Sequence, residues 1–202
     1  MKRMLGTVAV LVLFTSACGS EPPNGDTDFT VEQTTATPTP TQATPEAPGS
    51  SSDLVIKPGA IGPVNAGITK DEAVATGLFD ADVKGVEGCT FELQWKKEFA
   101  GVDVLTREDG SIGSLGVTAV GPKTEEGIGV GSTLADVKAA YPELSAVSKA
   151  GFDQAGAFLS AGDDYIGFLF GDATPSTIKD SSKVSFIEVT HGKRPELMRS
   201  GC

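Results

Sequence analysis

VNAGITKDEAV at 64–74 and IGVGSTLADVK at 128–138 carry the same pattern at an offset of 64 residues. Gly67 aligns with Gly131, Thr69 with Thr133, Glu72 with Asp136 and Ala73 with Val137. Thr69 and Glu72 have the spacing of a capping box, in which each side chain satisfies a backbone N–H that the first helical turn leaves orphaned. Thr133 with Asp136 is the same device with a shorter acid. Glycine at 67 and 131 permits a tight entry turn. The spacing predicts one short helix over 70–76, stopped at Gly77. A second is predicted over 134–141, stopped before Pro142, whose ring disfavours helix at the preceding residue. Leu134, Val137 and Tyr141 fall on one face of that helix.

Strand signals follow each helix. After the first they cover 89–95, 102–107 and 112–120, with a hairpin turn at 108–111 centred on Asp109-Gly110. After the second they cover 157–161, 165–170 and 184–190. Each half thus reads as a helix followed by three strands. The expected fold class is α+β, with two tandem helix-plus-antiparallel-meander repeats, at about 60–124 and 125–202. The helices are expected on one face of the sheet.

Outward from this repeat the chain changes character twice. Residues 1–17 have the form of a secretory signal: Lys2 and Arg3, an apolar run over 5–14, then Thr15, Ser16 and Ala17. The run is too short for a bilayer core, which needs roughly 20 residues. Cys18 follows directly. Residues 19–52 hold eight Thr, six Pro and five acids with no Lys or Arg. Such a stretch buries too little apolar surface to offset its ordering entropy, so residues 18–52 are expected to be a disordered tether. Residues 53–202 are long enough for a sizeable core.

The net charge is −11 from 27 acidic and 16 basic residues, and −8 falls on 53–202. This argues against a general nucleic-acid binder, which needs a positive surface. It equally disfavours polybasic docking on anionic lipid.

The segment before Cys18 resembles the lipobox of bacterial lipoproteins, with Thr15 where leucine is usual. That resemblance implies lipidation at Cys18, with a palmitate-type acyl anchor on the outer face of the cytoplasmic membrane. The other reading is an ordinary signal peptide with a chance cysteine. The repeat starts, VNAGITKDEA at 64–73 and GIGVGSTLADVKAAYPEL at 127–144, resemble those of tandem-repeat secreted lipoproteins of actinobacteria. They are also similar in layout to the β-lactamase inhibitor protein and, more distantly, to BamE-type outer-membrane assembly lipoproteins. The likeness covers under a fifth of the module and implies a fold used for binding, not an activity. The inhibitor protein has two disulfides where this module has only Cys89 and Cys202, so its inhibitory function is not carried over.

Cys89 and Cys202 are expected to form a disulfide in an oxidising compartment. The bridge would close a loop of over a hundred residues, worth about 4.7 kcal/mol on the chain-entropy account. Two free thiols are the alternative. His191 is the only histidine and reads as a surface residue at a strand end. Asp109, Asp163 and Asp164 read as turn residues, because calcium needs six to eight oxygens from spaced ligands. No Gly-x-Ser-x-Gly elbow or P-loop lysine is present, and no cofactor, metal or catalytic set is expected. Trp95 and Tyr165 are the candidate binding-surface residues. Trp95 alternates with Phe91 and Leu93, so a core position competes with an exposed one. Tyr165 points opposite to Ile166, Phe168 and Phe170 along its strand.

Three function classes follow. They are a monomeric, non-enzymatic envelope module that binds a protein or ligand, a structural or assembly lipoprotein, and a carboxylate enzyme acting on cell-wall sugars.

Overall fold

The computed structural model describes residues 48–80, 83 and 93–199. These form a mixed α+β fold, mostly strands, with two α-helices among the described residues. Strands β1 (Val55–Lys57), β2 (Ala60–Ile61) and β3 (Val64–Asn65) precede helix α1 (Lys70–Ala75). Then come β4 (Phe79–Asp80), β5 (Gln94–Trp95), β6 (Val102–Thr106), β7 (Ile112–Val117) and β8 (Lys123–Thr124). Helix α2 (Leu134–Ala140) leads into β9 (Ser148–Ala150), β10 (Gln154–Ala161), β11 (Asp164–Phe170) and β12 (Phe186–His191).

Both helix starts are built as their spacing predicts. The hydroxyl of Thr69 accepts from the Glu72 N–H, and the Glu72 carboxylate accepts from the Thr69 N–H at 2.8 Å. Thr133 and Asp136 repeat the exchange, again with 2.8 Å to the carboxylate. Gly67 and Gly131 both have positive φ, 93° and 95°. Each entry is also pinned to a strand in the same way. Gly67 N–H donates to Ile112 O and Ile112 N–H donates to Ile68 O; Gly131 N–H donates to Val184 O and Val184 N–H donates to Ser132 O.

The main sheet is six-stranded, in the order β6-β7-β12-β11-β10-β9, antiparallel throughout. Strands from before and after α2 therefore share one ladder, joined where β7 meets β12. A four-stranded sheet, β3-β2-β1-β8, contains a parallel β1–β8 pair, and β4 pairs with β5.

Alternation gives the main sheet two unlike faces. On the inner face Val102, Val104, Leu115, Val117, Ile187, Val189, Ile166, Phe168, Phe170, Ala155 and Ala157 are buried in one apolar cluster. Ala73 of α1 and Leu134 and Val137 of α2 belong to the same cluster. Tyr141, at the end of α2, stacks on Phe168 with ring centroids 5.9 Å apart. Trp95 also lies inside. It is 4% exposed, packs against Phe79 and Phe99, and donates its indole N–H to Asp103 O. This corrects its candidacy as an exposed anchor: the alternation that made it a core residue prevails.

Candidate functional site

The outer face of the sheet holds a different set of side chains. Pairing aligns Asp103 of β6 with Gly116 of β7, Gly116 with Glu188 of β12, Glu188 with Gly167 of β11, and Gly167 with Phe158 of β10. The row reads acid, glycine, acid, glycine, aromatic across five strands. Two glycines lower its floor, and residues 193–199 lie in the resulting trough.

Each anchor of that strap has a fitted seat. Leu197, 1% exposed, clusters with Ala150, Phe158, Leu169 and Phe186. A Cβ at Gly156 or Gly167 would press into the Leu197 side chain, at 2.8 and 2.9 Å. The Leu197 N–H donates to Glu188 Oε2 at 2.7 Å. Arg199 spans the acidic end. Its Nε donates to Asp103 Oδ1 at 3.0 Å, and its Nη1 donates to Glu188 Oε1 at 2.6 Å and to Ser114 Oγ at 3.1 Å. Its guanidinium also lies over the Phe186 ring, 4.9 Å from the centroid. A Cβ at Gly116 would collide with Asp103, Arg199 and Phe186. Further along, the Arg194 guanidinium lies 4.3 Å from the centroid of Phe158.

The electrostatics match the geometry. Burial alone would lower the Arg199 pKa, but Asp103 and then Glu188 more than offset it, and the net direction is upward. Two carboxylates face one cation, and Glu188 is 4% exposed. A buried carboxylate is costly without a paired, hydrogen-bonding cation.

A cleft of about 280 Å³ opens beside the strap, lined in part by Arg107, Ser114, Thr190 and Lys193. A groove of about 310 Å³ is lined by Tyr165, Phe158, Ser160 and Arg194 among others. Tyr165 is half-buried there, on the outer face as its alternation predicts. Phe152, 68% exposed, caps the β9–β10 turn, where Gly151 N–H donates to Glu196 O of the strap.

His191 and Asp164 sit opposite each other at the end of the β11–β12 ladder, with Nδ1 and Oδ1 2.8 Å apart. His191 is exposed and Asp164 half-buried, with 51% and 45% of the side chain accessible. Sequence reasoning read them as unrelated surface and turn residues, since 27 positions separate them and no local pattern links them. The Asp164 carboxylate orients the His191 imidazole. In the β6–β7 turn the Ser111 hydroxyl donates to Asp109, whose carboxyl this bond and the Ser111 N–H hold below its usual range. Among the described residues no group of three His, Cys, Asp or Glu is placed to hold a metal ion, and no helix is long and apolar enough to cross a membrane. Cys18, Cys89 and Cys202 lie outside the described residues.

Comparison with protein-family models, curated proteins and solved structures finds no match for this chain.

Proposed function

We propose that this protein is an exported lipoprotein, anchored through Cys18 on the outer face of the cytoplasmic membrane. Its folded part is a monomeric, non-enzymatic binding module for another envelope protein. The outer sheet face carries this reading. Its floor of Gly116, Gly156 and Gly167 and its walls of Asp103, Glu188 and Phe158 seat the irregular segment 193–199 through matched apolar and charged contacts. A net charge of −11 for the whole chain favours a basic partner, with association weakened by salt. The Pro/Thr-rich stretch that precedes the Ser51–Asp53 turn would act as the spacer, at up to ~3.1 Å per residue; the tether expected over 18–52 thus gives way to folded chain at its last residues.

We also infer that the module arose by duplication of a helix-plus-meander unit. The matched capping boxes and the matched Gly67–Ile112 and Gly131–Val184 bonds support this. Four residues beyond Ile112 and Val184 stand Gly116 and Glu188, which face each other in the ladder. Equivalent positions meet in this way about a local two-fold.

The test is a pull-down from detergent-solubilised envelope at two salt concentrations, with Cys18→Ala as the localisation control. The expected result is a stoichiometric, salt-sensitive protein partner, and loss of membrane attachment in the variant. Turnover of a wall-derived substrate, abolished by Asp164→Asn, would overturn the reading in favour of an enzyme.

A further inference from the structure

We infer that residues 193–199 occupy, within the chain itself, the site that a partner uses. The partner would present a segment with a leucine-like side chain two residues before an arginine. This rests on the binding-module reading and names the chemistry of the partner.

Three observations carry the inference. The trough takes one apolar side chain between Gly156 and Gly167, and one guanidinium among Asp103, Glu188 and Ser114. Guanidinium fits these acceptors better than ammonium, because its donors diverge in a plane and reach three side chains at once. The site is also one negative charge in excess with Arg199 seated, and two in excess without it. Stranding Glu188 and Asp103 without a cation is costly, so the strap leaves most easily when another arginine takes its place. Finally, Leu197 has a φ of 55°, a conformation uncommon for a residue other than glycine. Strain of this kind at a seated anchor lowers the cost of release and is concentrated where segments bind or switch.

The geometry thus describes an exchange site. The acidic pair holds an arginine at all times, from the chain's own strap or from the partner, and the Leu197 slot sets the register.

An amidated, fluorescent peptide of residues 193–199 tests this. It is titrated into the full-length chain and into its Leu197→Ala/Arg199→Ala variant, with reductant throughout. The variant is expected to bind the peptide at least about tenfold more tightly than the wild type, whose own strap competes. Adding Asp103→Asn to the variant is expected to weaken binding about tenfold, as is Arg199→Lys in the peptide. No binding by a variant that still unfolds cooperatively would overturn the inference, and so would binding indifferent to Asp103. If the double variant does not fold, Arg199→Ala alone takes its place with the same criteria. A wild-type dimer that the variant cannot form would assign the trough to a second copy and equally overturn it. Failure of the peptide beside a successful envelope pull-down would end this inference and leave the binding-module reading standing.

Discussion

The two faces of the six-stranded sheet are both covered, but by different means. The inner face meets its cover mainly through Phe168, Phe170, Leu115 and Ile187, side chains without polar atoms. The outer face meets the strap through glycines, one leucine slot and an ion-pair network. Apolar packing is non-directional and stabilises by area removed from water. A charged trough discriminates, because an unpaired carboxylate there is penalised far more than a missing methyl group. The inner face therefore holds the fold, and the outer face selects what lies on it.

The largest expected effect is on the inner face. Phe168→Ala removes a fully buried ring that stacks on Tyr141, and is expected to cost about 3–5 kcal/mol in chemical denaturation. On the outer face Glu188→Ala is expected to cost about 2–4 kcal/mol, since Arg199 keeps one carboxylate, Asp103, in place of two and the Leu197 N–H loses its acceptor. The contrast would break if Glu188→Ala were neutral, for the strap would then rest on the sheet without being held.

Gly116→Ala sharpens the comparison. Its new methyl collides with Asp103, Arg199 and Phe186, so a loss of about 1–3 kcal/mol is expected with the inner core intact. Near-ultraviolet circular dichroism from Trp95, which is buried on the other side, is expected to stay native.

Legibility in the sequence divides along the same line. Interactions confined to one turn or one strand could be read. These include the capping boxes, the Asp109-Gly110 hairpin and the alternation that buries Ile166, Phe168 and Phe170 while turning Tyr165 outward. The elements that could not be read depend on distant pairing. Strands β1 to β3 and the parallel β1–β8 pair are only two or three residues long, too short for periodicity to register. The meander after α2 has four strands where three were expected, because β9 is a three-residue edge strand. Glu188 in a strand reads as a solvent-facing acid until Arg199 is brought over it. The strap runs across strands with no period of its own. A signal was nevertheless present: Gly116, Gly156 and Gly167 each interrupt a strand pattern, which marks a close approach by another chain segment.

The smallest expected effect concerns the helix starts, whose caps support the inner cover. Glu72 lies below its usual carboxyl range through the Thr69 N–H first and its hydroxyl second; Asp136 is lowered by the Thr133 hydroxyl first and its N–H second. Both folded pKa values are depressed. Their contribution is therefore full above the unfolded values near 4.5 and 3.8, and is lost as pH falls through the lowered folded values. Melting temperature is expected to decline on that acid side. Thr133→Ala and Thr69→Ala are each expected to flatten the decline, because each removes a hydroxyl that donates to the capping carboxylate, at 2.7 and 2.8 Å. At neutral pH each substitution is expected to cost about 1 kcal/mol. An acid profile that neither substitution changes would contradict this assignment.

Amide hydrogen exchange at Leu197 tests the central claim, that the outer face is a built seat for the segment 193–199. The Leu197 N–H is buried and bonded to Glu188 Oε2 at 2.7 Å. The account predicts slow exchange in the native chain. It also predicts that Glu188→Gln accelerates exchange at Leu197 while the Ile187 and Val189 amides stay protected. Exchange at the free-peptide rate in the native chain, with the β12 amides protected, would contradict it.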